Sequence, residues 1–292
     1  MKVLLLTHGT YLQPDNIVVC NSVRAYYLSK GLLDNGIDVV HVYPEVLGPP
    51  THNKEYILPR LSICTYKGKN NLAELIYQHN PDVLVIGYWE LMEKLPDNIT
   101  IPIVLDVVAP RVLEVIYQSD RSLDTEIQRM LNVYQRADRF ITGNNKQRHF
   151  LLPWLILAGF DCRDNIPIDV IPISTEPGEA HSSISDKSIW RFVSGGVSWP
   201  WRRTENYFDA LVHALGNLSD ISGRLSLFSG KYAYSGENNS ALKKPREDTW
   251  PDDIVQHNPL LPYRALEDYL SRQCDIGVEL ADRTIEREYS QS

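Results

Sequence analysis

The densest run of chemically useful residues is Ser194-Gly195-Gly196-Val197-Ser198-Trp199-Pro200-Trp201-Arg202-Arg203. Two adjacent glycines let the main chain approach a ligand closely, because no Cβ intervenes. Arg202 and Arg203 follow with fixed positive charge, and backbone amides combined with guanidinium groups suit a phosphate. Trp199 and Trp201 flank Pro200; an indole face stacks on a base or on the apolar face of a sugar, and equally fills a domain hinge. The same segment also reads as a tight strand–helix turn whose arginines face solvent.

Three further places carry candidate chemistry. His8-Gly9-Thr10 closes an apolar run, where open α/β sheets bind ligands at their carboxyl ends. His8 is there either a general base or a strand-end histidine making one hydrogen bond. Asp106 sits inside the apolar run Val104-Leu105-Asp106-Val107. An unpaired carboxylate there is costly, so it belongs at a cleft edge or in a pair, with acceptor binding as the functional reading. Arg111 and Glu114 follow it as weaker candidates. Glu286 and Glu288 lie near the C-terminus, either against a ligand or in a solvated charged tail with Arg283 and Arg287.

The elements around these residues alternate. Val3–Thr7 is a fully apolar strand, followed by a helix over about Asn16 to Leu33 that Asn35-Gly36 stops. Strands are predicted at Ile37–Tyr43, Tyr56–Tyr66, Asp82–Tyr88, Ile101–Val108, Asp138–Thr142 and Ile168–Ile173. Leu72, Leu75, Ile76 and His79 mark one helix stripe, and Ile127, Met130, Leu131 and Tyr134 another. Gly143-Asn144-Asn145 opens a helix that runs to about Ala158. This rhythm predicts a doubly wound, mostly parallel sheet. Residues 176–188, rich in Pro, Gly and Ser, read as a linker between a domain over 1–175 and a second over 189–292. The pattern restarts with a strand at Trp190–Val197, a helix stripe of Phe208, Leu211, Val212 and Leu215, and a strand at Arg224–Ser229. A helix marked by Leu266, Tyr269 and Leu270 and a strand at Asp275–Leu280 complete it. The second half is short and stops just after a strand with no covering helix, so the natural chain is expected to continue past Ser292.

Bulk composition narrows the class. The 292 residues are 43% hydrophobic and 23% charged, an ordinary globular composition. A formal net charge of -8 argues against a nucleic-acid groove. The four cysteines form no CxxC pair and no cluster with zinc spacing, which predicts reduced thiols in the cytosol. The run Val3–Leu6 is too short for a signal peptide or a membrane span. The Asn-x-Ser/Thr triplets at Asn98, Asn217 and Asn238 are then chance.

Several segments together resemble the retaining GT-B glycosyltransferases of family 4. The first strand with His8-Gly9-Thr10 and the helix Arg24-Ala25-Tyr26-Tyr27-Leu28 are similar to that family's first βα unit, as is the passage from Leu32 to Val39. Asp138–Thr142 followed by Lys146-Gln147-Arg148, and Ile171-Pro172-Ile173 before the linker, fit the same plan. The glycine pair begins the second domain, as the family's donor loop does. Gly196 falls at the loop glycine and Arg202 at the family's lysine; Val197 occupies the usual arginine position, so one phosphate contact is missing or comes from elsewhere.

The resemblance implies an α/β fold of two Rossmann-like domains facing a cleft, the second incomplete. It implies transfer of a hexose from a nucleotide sugar to a carbohydrate or lipid-linked acceptor. Retention would follow from front-side attack assisted by the leaving phosphate. His8, Asp106, Glu286 and Glu288 are the catalytic candidates. Gly9, Thr10, Gly195, Gly196, Trp199, Arg202 and Arg203 are the donor-binding ones. The family's acidic pair, eight residues apart, cannot be completed after Glu286 or Glu288. No metal or cofactor is expected, no nucleic-acid partner, and at most peripheral contact with a membrane. Two relatives in function stay open: a GT-B sugar-nucleotide epimerase and a truncated, binding-only chain. A nicotinamide-dependent oxidoreductase is disfavoured, because His8-Gly9-Thr10-Tyr11-Leu12-Gln13 lacks the GxGxxG spacing.

Overall fold

The structure is a computed structural model and describes residues 1–13, 15–48, 57–117, 122–175, 189–197, 205–218, 222–230, 250–279 and 285–289. The chain forms two compact units. One comprises Met1–Gln13, Val18–Thr175 and Ile285–Ser292; the other comprises Pro14–Ile17 and Glu176–Thr284. The linker expected over 176–188 lies outside the described residues.

The first unit is built on a seven-stranded sheet whose paired strands are all parallel. Its strands are β1 (Lys2–Leu6), β2 (Asp38–Pro44), β3 (Leu61–Tyr66), β4 (Val83–Ile86), β5 (Ile103–Asp106), β6 (Arg139–Thr142) and β7 (Ile168–Val170), in the spatial order β3-β2-β1-β4-β5-β6-β7. The continuous apolar run of β1 follows from this placement, because a central parallel strand is covered on both faces. Leu4 and Leu6 enter one cluster with Val40, Val42, Leu84 and Ile86, while Leu5 enters another with Val39 and Tyr43. Helix α1 (Cys20–Asp34) contributes Ala25 and Leu33 to the second cluster. Helices α2 (Lys69–His79), α4 (Leu123–Tyr134) and α5 (Asn145–Leu157) contribute Leu72, Ile76, Met130, Val133, Leu151 and Leu155 to the first. Each such side chain, taken out of water, stabilises the fold by roughly 1.5–3 kcal/mol.

Local signals explain the element ends. Asn80 terminates α2 in the left-handed region at φ 42°. Asn144 caps α5 by accepting from the Gln147 amide at 2.8 Å. Helix α1 starts four residues later than expected at about Asn16, because Ile17, Val18 and Val19 are β-branched and Val19 is extended. A short helix α3 (Arg111–Val115) follows β5.

The second unit holds a four-stranded parallel sheet in the order β10-β9-β8-β11, from β8 (Ile189–Val197), β9 (Ser222–Gly230), β10 (Val255–Pro259) and β11 (Ile276–Gly277). Helices α6 (Glu205–Gly216) and α7 (Tyr263–Gln273) accompany it. Phe208, Val212 and Leu215 pack on Leu225, Leu227, Val255 and Trp250. Strand β10 has no counterpart in the sequence reading, since Val255 is its only apolar residue before Pro259 and its side chains are mostly exposed. A further element, α8 (Ile285–Tyr289), follows β11 in sequence. It packs within the first unit, where the Phe150 and Tyr289 rings lie 5.2 Å apart.

Candidate functional site

In the first sheet β1 pairs with β2 on one side and β4 on the other, so the strand order reverses beside β1. Loops leaving the carboxyl ends of strands at such a point diverge and leave room for a ligand. His8 and Gly9 leave β1 there, Gly87 and Tyr88 leave β4, and Asp106 ends β5.

His8 is half-buried and meets Tyr88 edge-on, with ring centroids 5.3 Å apart. Burial, aided by the Lys94 ammonium, pushes its imidazole down to about 4. It is therefore neutral at pH 7 and able to accept a hydrogen bond. The buried Thr7 hydroxyl donates to the Gly9 carbonyl at 2.8 Å and lies 2.7 Å from Nε2 of His41. A Cβ on Gly9 would stand 2.5 Å from Ser22 Oγ, so only glycine fits against the first turn of α1. Thr10 is half-buried beyond it.

Asp106 is 2% exposed and is held in a pair. Arg24 grips it with Nε at 2.5 Å and Nη2 at 2.9 Å, and its Nη1 donates to the Ile171 carbonyl at 2.9 Å. Asp106 thus meets both structural expectations, being paired with Arg24 and also at the margin of a narrow cleft. Thr7, Asn21, Arg24, Gly87 and Asp106 together line a narrow cleft.

A second charged group surrounds α3. Arg111 lies 3.3 Å from Glu114, 3.6 Å from Glu126 and 4.0 Å from Glu90, and its guanidinium stands 5.9 Å from the Trp89 ring centre. Arg129 bonds Glu126 at 2.5 Å and Glu93 at 2.7 Å, and approaches Trp89 at 5.1 Å. Glu114 is buried, and burial pushes its carboxyl up to about 7; Arg111 opposes this, while Glu286 and Glu90 add to it. Glu286, from α8, is 4% exposed and belongs to this group, so it is no part of a solvated tail. Glu288, two residues on, is exposed.

In the second unit, Gly195 and Gly196 are exposed at the carboxyl end of β8. A Cβ on Gly195 would stand 3.2 Å from Phe228 Cβ and 3.3 Å from the Phe228 carbonyl oxygen. Gly196 has φ +140° and no described atom within 4 Å of its Cβ position, so among the described residues its requirement for glycine is conformational. Trp199, Arg202 and Arg203 lie outside the described residues. The structure thus gathers His8, Gly9 and Asp106 at one edge of the first sheet, brings Glu286 to α3 of the same unit, and puts the glycine pair at the matching edge of the second sheet. Among the described residues no group of three or more His, Cys, Asp or Glu could hold a metal, and no helix is long and apolar enough to cross a membrane.

Sequence reasoning alone does not bring Tyr88 or Arg24 to this candidate site. For Arg24 a signal existed: a charge beside the buried stripe of Ser22, Ala25, Ser29 and Leu33 needs a partner. Tyr88 offered none beyond its place at a strand end.

No family model matches the chain, and no curated protein matches it in sequence. Solved structures do match in fold. Sucrose-phosphate synthase of Thermosynechococcus elongatus is similar over 92% of this chain and 73% of its own, with TM-score 0.61 and 14% identity. HepE of Anabaena, solved with UDP and glucose, is similar over 96% of this chain and 74% of its own, with TM-score 0.58 and 14% identity. An α-glucosyltransferase, solved with UDP-glucose and DNA containing an abasic site, is similar over 99% and 74%, with TM-score 0.52 and 15% identity. At these identities the likeness shows the fold alone: two Rossmann-like α/β units, each built on a parallel sheet, the GT-B fold.

Proposed function

We propose that this chain is a glycosyltransferase that moves a hexose from a nucleotide sugar to a carbohydrate or lipid-linked acceptor, with retention and without a metal. The observation that carries the reading is Gly196, whose φ of +140° beside Gly195 exposes backbone at the end of the first strand of the second sheet. Backbone amides there, with Arg202 and Arg203, would hold the diphosphate and stabilise the charge it gains as the sugar bond breaks. The fold neighbours solved with UDP or UDP-glucose support a uridine nucleotide as the first donor to try.

In the first unit the neutral imidazole of His8 would donate its ring N–H to the acceptor hydroxyl oxygen, leaving the hydroxyl proton free for the departing phosphate. The bond from the sugar's anomeric carbon to the phosphate oxygen breaks, a bond to the acceptor oxygen forms on the same face, and the departing phosphate takes the hydroxyl proton. The net charge of -8 favours a sugar-containing acceptor over a nucleic acid. A cytosolic location accords with the scattered cysteines.

Calorimetric titration with UDP, GDP, ADP and dTDP tests the reading. One nucleotide should bind saturably, raise the melting temperature, and bind more weakly to Arg202→Ala and Gly196→Val. Binding by none would overturn it and leave a binding-only relative of different specificity.

A further inference from the structure

The loop after β1 has no regular structure, so its shape must be imposed from outside. Gly9 lies so close to α1 that an added Cβ would stand 2.7 Å from the Ser22 amide nitrogen as well as 2.5 Å from its hydroxyl. The position of residue 9, and of His8 beside it, is therefore set by where the first turn of α1 stands. That turn is not fixed by its own cap, since Val19 offers no side-chain hydrogen bond. Beside the packing of Ala25 and Leu33, Arg24, two residues after Ser22, supplies the directional ties: it joins α1 to Asp106 at the end of β5 and to the Ile171 carbonyl just past β7.

Burial makes this attachment stiff. Arg24 is 4% exposed and Asp106 2%, so water does not compete for either. The guanidinium is a planar fork with donors at fixed angles, and here three of its nitrogens are engaged in two directions. A buried ion pair adds little net stability over a well-packed apolar pair, so stability alone does not account for it.

We infer that Arg24 and Asp106 are positioning residues, which set the His8 imidazole through Ser22 and Gly9 by fixing α1 to the ends of β5 and β7. Asp106 then acts on the acceptor only through this chain of contacts, because Arg24 occupies both of its oxygens. The inference rests on the reading of the His8 loop as the acceptor side of a transferase.

The test uses the full chain and two variants. Arg24→Lys keeps the charge and loses the fork; the pair Arg24→Met with Asp106→Leu removes both charges at similar volume. Two readouts are taken: the titration of the His8 imidazole by nitrogen-15 NMR, assigned with His8→Gln, and transfer kinetics with the nucleotide sugar whose nucleotide binds. In both variants the His8 titration should move from about 4 toward the ordinary 6.5, as the loop loosens and hydrates. In both, kcat should fall roughly 10²-fold with KM for the nucleotide sugar unchanged. A folded variant pair with His8 titrating as in the parent would overturn the inference. So would a rise in acceptor KM at unchanged kcat, which would make Arg24 or Asp106 a direct contact. If the parent neither binds a nucleotide nor transfers sugar, the functional reading fails, and the NMR titration alone still decides whether the pair positions His8.

Discussion

The carboxyl ends of the two sheets face the same physical problem and solve it oppositely. In the first unit, charged residues are drawn into the protein and paired there: Arg24 with Asp106, and Arg111 with Glu114 and Glu126, all at most 7% exposed. In the second unit, Ser226 is the only buried polar residue among those described, and the strand ends offer exposed glycines. Side-chain charges locked in a network cannot reach out to a ligand, but they hold neutral groups such as His8 still. Exposed backbone without Cβ atoms fixes nothing, yet it offers amides to a phosphate at close range. On the function proposed above, the first edge would orient the acceptor and the second would receive the donor.

The sharpest way to break this contrast is to unpair a charge in the first unit. Asp106→Ala leaves the Arg24 guanidinium buried with no carboxylate, which should cost about 3–5 kcal/mol in urea unfolding. The combined Arg24→Met and Asp106→Leu variant should stay close to the parent, because it leaves no orphan charge. If Asp106→Ala costs less than about 1 kcal/mol, Arg24 is finding water, and the edge is wetter than its burial indicates.

A second and smaller effect comes from Glu114. Its carboxyl titrates near 7 in the folded protein against an ordinary 4.5, mainly through burial. The folded state therefore holds the proton more tightly than the unfolded chain does. The stability this confers is fully present below about 4.5, declines as pH rises, and is lost above about 7. Its size is on the order of 3 kcal/mol. Glu114→Gln keeps the shape without the ionisation, so parent minus variant should show this slope, with the variant the more stable above pH 7. Arg111, Glu90, Glu286 and Tyr88 face the same carboxyl. Parallel stability curves for parent and variant would mean that Arg111 keeps Glu114 ionised throughout.

What was legible beforehand follows the same division. Apolar runs gave β1, β2, β4, β5 and β6 to within two residues at either end, because strands covered on both faces are mostly apolar, whereas β3 begins five residues past the expected Tyr56. Strand β10 was invisible because Val-Gln-His-Asn-Pro carries no period and lies exposed at an edge. Helix α8 was invisible because five residues rich in charge look like tail; only tertiary packing on α3 and α5 buries Glu286. That the candidates His8 and Asp106 lie at strand ends could be read from position alone. The partner of Asp106 could not, since Arg24 is 82 residues away in sequence and pairs only once the sheet has formed. The glycine pair was legible through its type, and its two members turn out to need glycine for different reasons.

That difference yields the smallest and most diagnostic prediction. Gly195 is limited by space: Gly195→Ala must push Phe228 aside by a few tenths of an ångström, so its cost falls on the stability of the second sheet. Gly196 is limited by conformation, since φ is +140° and nothing among the described residues lies within 4 Å of its Cβ position. At an exposed strand end, Gly196→Ala can relax to an ordinary φ in the free protein, and unfolding should change by well under about 1 kcal/mol. A ligand that requires the glycine conformation would force the strain back, at about 1–3 kcal/mol. Nucleotide affinity should then drop roughly tenfold in Gly196→Ala, measured by calorimetry, with the melting temperature of the free protein almost unchanged. Gly195→Ala should show the reverse balance, a lower melting temperature with less change in affinity. Loss of stability in Gly196→Ala with affinity intact would mean that the positive φ serves the fold, and that the exposed backbone at the end of β8 is not where the phosphate sits.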